Sequence, residues 1–183
     1  MDTLRAGSDP SSAAPGGQTV PSTDAWPTLE ELARHEDELV LPALTEQLAY
    51  DLGRRATDAA WADGLPIVVG IWRGAHQLFH SALPGSTADN DAWLQRKGRV
   101  VTRFEHSSLY MGQLCRDLDT TLAEKFLLPA DEFAAAGGAF PLRTRDSGVV
   151  GWIGVSGLPQ RDDHAFVVRI LREHLASVEG RGR

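Results

Sequence analysis

Residues 148 to 164 constrain the fold more than any other part of this chain, because they join an apolar run directly to the start of a helix. The run holds three glycines, Gly151, Gly154 and Gly157. Glycine weakens a strand unless another group packs close to its backbone. We therefore predict a buried strand over 149–156, a tight turn at Ser156 and Gly157, and a last helix that begins in the acidic sequence after the turn.

The turn at Ser156 and Gly157 has two possible roles. It leaves backbone N–H groups facing outward at a helix start, and such groups bind anions or polar ligand groups. Asp162 and Asp163 follow in the first turn of the helix and could satisfy the same N–H groups from within the chain. The sequence leaves both a ligand-binding corner and an internally capped corner open.

The composition is that of an ordinary globular domain and excludes several classes of function. The chain has 183 residues, of which 42% are hydrophobic and 23% charged. Its net charge of −7, without a basic block, argues against nucleic acid as a partner. No apolar run approaches the roughly 18 residues of a membrane span. No hydrophobic segment precedes residue 27, so we expect no secretory signal and a cytoplasmic location.

The single cysteine, Cys115, excludes an intramolecular disulfide and a multi-cysteine zinc site. Its neighbours place it on the apolar side of a helix, which predicts a packing role.

Residues 1–27 are rich in Ser, Pro, Gly, Ala and Thr, and we expect a disordered N-terminal tail there. Residues 28–183 are expected to form one domain.

Apolar spacing predicts helices that alternate with hairpins. In chain order, the predicted elements are a helix capped by Thr28, a helix over 43–62, strands over 66–72 and 76–83, a helix capped by Asp89 or Asn90, a helix from Ser107 with Leu118 and Leu122 on its core side, a helical turn from Pro129, strands over 139–145 and 149–156, and a last helix. Hairpins joined by helices predict an antiparallel sheet with helices on its faces, which is an α+β fold.

Three histidines lie in segments where a functional role is plausible: His80 on a strand, His106 before a helix, and His164 in the first turn of the last helix. Imidazole is a common haem or metal ligand and proton carrier. Structural or solvated roles are commoner for single histidines. No two histidines have a close ligand spacing, so the sequence predicts no metal site.

The segment from Arg103 to Gly112 combines a cation, an imidazole, hydroxyl groups and a phenol around one helix start. As a binding site, Arg103 and the helix N–H groups would hold a carboxylate. Alternatively, Ser107 is simply the N-cap, and His106 belongs to the polar residues that precede the helix.

Lys97 interrupts the apolar side of the preceding helix. It indicates either a buried anionic partner or, more commonly, a stem on apolar surface with the ammonium group in water.

Several segments together resemble the GlcG/HbpS-like superfamily, often called haem-degrading domains, and in particular its small uncharacterised branch. The segments that carry the resemblance are QLFHSALPG at 77–85, NDAW at 90–93, Arg96-Lys97, FEHSSLYMG at 104–112, GGAFP at 137–141, VSGLPQ at 155–160 and Asp163-His164. They run in one order through nearly all of residues 28 to 178, so the set is more specific than any member.

The resemblance implies a profilin-like fold, which is a five-stranded antiparallel sheet with helices on both faces. It also implies a homo-oligomer and makes haem the leading candidate cofactor. From the residues alone only four strands are located.

The first functional hypothesis is a cytoplasmic oligomeric binder of haem or a related small anionic ligand. Its candidate ligand-binding residues are His80, Lys97, Arg103, His106, Ser107, Ser156, Gly157 and His164. The alternative is a non-catalytic oligomeric adaptor, in which Trp93 anchors a subunit interface. An enzyme acting on a hydroxy acid is a third possibility, although the sequence shows no complete acid–base set. Catalytic residues remain unassigned.

Overall fold

We describe the fold from a computed structural model, which describes residues 26–181. Apart from Trp26 and Pro27, the predicted N-terminal tail lies outside the described residues. The elements are α1 (Leu29–Glu38), β1 (Val40–Leu41), α2 (Glu46–Ala62), β2 (Val68–Arg73), β3 (His76–Ala82), α3 (Ala88–Phe104), α4 (Ser108–Asp117), α5 (Leu122–Phe126), β4 (Ala139–Thr144), β5 (Gly148–Ser156) and α6 (Gln160–Arg181).

The helix starts follow from their capping residues. Thr28 caps α1 as predicted, since its hydroxyl group accepts the N–H of Glu31 at 3.2 Å while the Glu31 carboxylate accepts the N–H of Thr28 at 2.8 Å. The prediction for α3 was wrong by two or three residues. Its N-cap is Thr87, whose backbone N–H donates to the Asn90 side chain at 2.8 Å.

The five strands form one mixed sheet in the order β1-β4-β5-β2-β3. The two predicted hairpins, β2–β3 and β4–β5, are present, and β2 joins them by antiparallel pairing with β5. The predicted purely antiparallel sheet is wrong, because β1 pairs in parallel with β4. This strand has only two residues, which is too short for an alternating pattern to appear in the sequence.

Helices cover both faces of the sheet, as expected. The larger core lies under α2 and α6, where Leu52 and Ile170 pack against Ile71 and Ile153. The smaller core lies under α3, where Leu94 packs against the stacked rings of Trp72 and Trp152 at a centroid distance of 4.1 Å. The central strands β2 and β5 are therefore largely buried on both sides, which explains why β5 reads as a continuous apolar run.

The predicted close approach to the glycines of β5 is confirmed. A Cβ atom at Gly151 would lie 2.1 Å from the carbonyl oxygen of Trp72, and one at Gly154 would lie 2.7 Å from the Leu94 side chain. On the opposite helix, Gly98 leaves room for the Trp152 ring.

The helix predicted from Ser107 through Leu122 is two helices. Ser107 caps α4 as predicted, but α4 ends at Asp117, and α5 has its own cap at Thr121. Leu118, predicted to face the core, is 50% exposed because it lies in the turn between them. Cys115 is buried, as expected for a packing residue.

Candidate functional site

The corner after β5 is built around a buried ion pair. The Lys97 ammonium group, on α3, lies 2.7 Å from Oδ2 of Asp163 in the first turn of α6. It also donates to the carbonyl of Val155 at 3.4 Å and to the Ser156 hydroxyl at 3.5 Å. The Lys97 and Asp163 residues are only 3% and 0% exposed, so the structure shows the rarer of the two predicted environments for Lys97.

Burial shapes the protonation of this pair. It lowers the pKa of Lys97, and the neighbouring Asp163 carboxylate opposes that effect. It raises the pKa of Asp163, opposed first by Lys97 and then by backbone N–H groups. The other carboxylate oxygen, Oδ1, accepts the N–H of Leu158 at 3.1 Å. Asp163 therefore accepts hydrogen bonds from this corner within the chain. Of the two roles predicted for Ser156 and Gly157, this arrangement matches the internally capped corner.

The corner before α4 contains a second buried carboxylate, Glu36 of α1. Its oxygens accept the Ser107 backbone N–H at 2.7 Å and contact Nδ1 of His106 at 2.7 Å. The Arg143 guanidinium group of β4 lies 3.5 Å away. Sequence reasoning did not assign Glu36 to the site. The available signal was a glutamate on the apolar stripe of α1, between Leu32 and Leu39.

The two corners both contact the start of β4. The Ser108 hydroxyl accepts the N–H of Ala139 at 3.0 Å, and the carbonyl of Gly138 accepts the N–H of Val155 at 2.9 Å. However, Ser107 and Ser156 are buried, at 0% and 3% exposure. Their contacts are therefore internal, and the two serines do not line an open pocket together.

An open cavity of about 260 Å³ lies where α1, α4 and α6 meet. Its polar lining comes from two histidines, His35 and His164, and from the guanidinium groups of α6; the full lining is Pro27, His35, Leu109, Arg161, His164, Ala165, Val168, Arg169 and Arg172. Nδ1 of His35 lies 3.4 Å from Nε2 of His164. The cavity combines neutral nitrogen donors, cations and an apolar wall, which suits an anionic ligand with an apolar body.

Both imidazoles of this cavity favour the neutral form. Burial lowers the pKa of His164 to about 3, with a further contribution from His35. Burial, followed by the charge of Arg172, lowers the pKa of His35. The buried Nδ1 atom of His164 has no hydrogen-bond partner within residues 26–181. A buried polar atom without a partner indicates a place where a ligand or water molecule can contribute.

Two predicted site residues lie elsewhere. His80 is on the edge strand β3, where its Nε2 contacts Asp91 of α3 at 2.7 Å. Arg103 is exposed, and its guanidinium group lies over the Phe104 ring rather than beside His106. The cation that the fold brings to the Glu36–His106 pair is Arg143. The sequence could not place it there, because Arg143 lies 107 residues after Glu36 in the chain.

Two further results concern the described residues alone. No group of three or more histidine, cysteine, aspartate or glutamate side chains among them is arranged to hold a metal ion. None of the helices in the described part of the chain is both long enough and apolar enough to cross a bilayer.

Comparison with known families identifies the class of protein. Residues 44–172 match the model of the family described as "Haem degrading protein HbpS-like", and the chain belongs to this family. A UPF0303 protein of Streptomyces avermitilis is 47% identical over 149 residues, which cover 81% of this chain and 91% of that relative. The resemblance stated from the sequence motifs is confirmed.

Solved structures agree with this assignment. The crystal structure of the Ybr137w protein has a TM-score of 0.72 and 37% identity, and covers 78% of this chain and 85% of that one. The crystal structure of a PduOC:heme complex has a TM-score of 0.60 and 19% identity, and covers 71% of this chain and 94% of that one. At this identity, the second match shows a shared fold.

Proposed function

We propose that this chain is a profilin-like domain that binds haem or a related small anionic ligand at the cavity between α1, α4 and α6. The observation that carries the proposal is the pairing of His35 and His164 beside the guanidinium groups of α6. Haem requires an apolar surface, cations for its propionates and an axial donor. Membership of the haem-degrading family and the haem-bound structural neighbour support the same ligand class.

The cations of the cavity can be redirected toward a ligand at small cost. Arg172 pairs with Glu38 at 3.1 Å and Arg169 with Asp63 at 3.1 Å, and all four side chains are largely exposed. Exposed ion pairs contribute only about 0–1 kcal/mol, so a propionate or other carboxylate competes for these arginines easily.

The size of the cavity supports a shared site. Its volume of about 260 Å³ is below the roughly 300–1,000 Å³ of pockets that enclose a drug-sized ligand. One protomer therefore covers an edge of a haem-sized ligand, and we propose that a second copy of the chain covers the rest. Sedimentation velocity with and without haemin tests this part, and a species that stays monomeric in both conditions overturns it.

The test of the proposed function is a haemin titration of the purified protein, followed by the Soret absorption band. We expect a saturable shift in the wild-type protein. The dissociation constant should increase about two- to fivefold in Arg172→Gln, because an ion pair made by an exposed guanidinium group contributes up to about 1 kcal/mol. Metal-free protoporphyrin, which keeps both carboxylates, should show the same dependence on Arg172.

The matched control is His80→Ala, which removes an exposed imidazole from the opposite edge of the sheet. It should bind haemin as the wild type does. A wild-type protein with no saturable Soret shift rules the proposed function out. Equal binding by Arg172→Gln and the wild type moves the site away from this cavity.

A further inference from the structure

A second open cavity, of about 600 Å³, lies between α2 and α6. It shares no lining residue with the cavity where α1, α4 and α6 meet. Its volume falls within the roughly 300–1,000 Å³ of small-molecule sites, so one chain has room for a whole small ligand. Its charged and imidazole side chains are Asp51, Arg54, Arg55 and Asp58 of α2 and Glu173 and His174 of α6.

The charged residues of α2 in this cavity are not paired with one another. Their spacing follows the helical period, so they share one face of the helix. Elsewhere on the domain, exposed arginines pair with carboxylates, as Arg172 does with Glu38 at 3.1 Å. Among the described residues, neither Arg54 nor Arg55 forms an ion pair, although aspartates stand three and four positions away on the same helix. Their guanidinium groups are therefore available to a ligand.

Arg55 is held in place by the opposite wall of the cavity. Its Nη2 donates to the Ser177 hydroxyl group of α6 at 3.1 Å, and that hydroxyl group donates to the backbone carbonyl of His174 at 2.7 Å. A guanidinium group carries several N–H donors in a rigid fork, so others remain for a ligand after this bond is made. Binding then costs less conformational entropy than binding to a free arginine side chain.

His174 brings a buried nitrogen with unused hydrogen-bonding capacity to the same cavity. The residue is only 6% exposed, and its Nε2 has no hydrogen-bond partner in the part of the chain that the structure describes. Burial lowers the pKa of His174, and the charge of Arg55 lowers it further, whereas the charge of Asp51 raises it. Both charged groups line the cavity, so the imidazole faces the same space. A buried polar atom without a partner indicates a place where a ligand contributes.

The balance of charge indicates which ligand fits. Glu173 lies 3.7 Å from Arg169, which is outside this cavity, and two arginines and two aspartates remain. A ligand with only a carboxylate is attracted by the arginines and repelled by the aspartates. A ligand that also carries an ammonium group is attracted by both.

We propose that this cavity binds a free amino acid as a zwitterion, with its carboxylate on Arg55 and its ammonium group on Asp58. Residues three positions apart on a helix have Cβ atoms about 5–6 Å apart, a distance that a small zwitterion bridges. His174 contacts the bound ligand from the α6 side. The site uses none of the residues assigned to haem, so it does not depend on the proposed function.

The first test is saturation-transfer NMR on the full-length protein with each of the common amino acids. At least one should give saturable transfer and shift the ring ¹⁵N signals of His174, while those of the exposed His80 stay unchanged. If no amino acid shifts the His174 signals, the inference is wrong.

The second test asks which charges of the ligand are needed. The N-acetyl derivative of the bound amino acid lacks the ammonium group, and its amide lacks the carboxylate. Each should bind at least about fivefold more weakly than the free amino acid, because each loses one ion pair. An N-acetyl derivative that binds equally well would show an anion site, and an amide that does so would show a cation site. Either result overturns the zwitterion.

The third test removes the protein's side of each ion pair. Arg55→Gln and Asp58→Asn should each increase the dissociation constant of the amino acid about fivefold. The matched control is Arg34→Gln, which removes an exposed arginine of α1 outside the cavity and should bind as the wild type does. Thermal unfolding checks that each variant is folded.

The outcomes for the variants separate this site from the haem proposal. Arg55→Gln should bind haemin with the wild-type dissociation constant while its binding of the amino acid weakens. If Arg55→Gln and the wild type bind the amino acid equally well, the assignment to this cavity fails, whatever the haemin titration shows.

Discussion

The protein has two buried carboxylates, Asp163 and Glu36, that the fold treats differently. Asp163 faces the Lys97 ammonium group, and both residues are closed to solvent. Glu36 is buried to nearly the same extent, but its partners His106 and Arg143 have side chains that are 38% and 26% exposed. One carboxylate is therefore sealed inside the domain, whereas the other is the inner end of a chain of contacts that reaches the surface.

The difference determines which of the two carboxylates can influence a group outside the protein. A fully enclosed ion pair meets no ligand, so its effect is on stability and on how α3, β5 and α6 fit together. A buried carboxylate that holds an accessible imidazole can pass its influence to something outside the protein. Both carboxylates have charged or polar partners. What differs is whether those partners are exposed to solvent.

The largest expected effect concerns the sealed pair. Lys97→Met leaves the Asp163 carboxylate buried without its cation, and we expect the free energy of unfolding to fall by about 3–5 kcal/mol. Urea denaturation followed by tryptophan fluorescence measures this change. In the double variant Lys97→Met/Asp163→Asn no charge is buried, and the side-chain oxygen can still accept the Leu158 N–H, so most of the stability should return. A loss below about 1 kcal/mol in Lys97→Met would show that the pair is solvated.

A second prediction concerns the buried imidazole of His164. Because the pKa of His164 is lowered to about 3 in the folded protein, the unfolded chain binds the extra proton between pH 3 and the ordinary value of 6.5. Stability should therefore fall as the pH falls through 6.5, by about 2 kcal/mol between pH 7 and pH 5 from this group. The lowered pKa values of His35 and His174 act in the same direction.

The measurement is the difference in pH dependence between the wild type and His164→Asn, from urea titrations at pH 5, 6 and 7. The variant should lose the part of the slope that comes from His164, even if it is less stable at pH 7. Parallel slopes in the two proteins would mean that the His164 ring accepts a proton in the folded state.

The smallest effect is expected for His106→Ala. The ring is partly exposed, and Glu36 keeps the Ser107 N–H and Arg143 after its removal, so the cost should be about 1 kcal/mol or less. Thermal unfolding of His106→Ala beside Lys97→Met gives the comparison directly. A cost for His106→Ala equal to that of Lys97→Met would place His106 among the structural residues and remove the contrast between the two carboxylates.

Much of the fold could be predicted because it depends on local patterns. The cap at Thr28, the hairpin at Gly74 and the packed glycines of β5 are each specified by residues close in sequence. The two-residue β1 and the break between α4 and α5 were missed, because a short parallel pairing and a turn at Leu118 leave no periodic signal. The family followed from seven segments in a fixed order, which no single motif supports.

The candidate site could be predicted only in part. The sequence selected His106 and His164, but it gave no reason to connect them with Glu36, His35 or Arg143. Those partners lie 70 residues from His106, 129 from His164 and 107 from Glu36 in the chain. Arg103 was chosen as the cation because it is near His106 in sequence, yet its place on α3 directs it to solvent.

The sequence by itself determined the helices, the two hairpins and the family, since local hydrogen bonds and apolar spacing fix these. Only the tertiary structure decided which charges are sealed and which are accessible. That difference depends on solvent exposure, which is set at the sealed pair by how α3 and α6 pack against the end of β5, and at Glu36 by how α1 and α4 pack around β4. Two carboxylates that look alike in the sequence thereby differ in the tertiary structure: the partner of Asp163 is buried, whereas the partners of Glu36 are partly exposed.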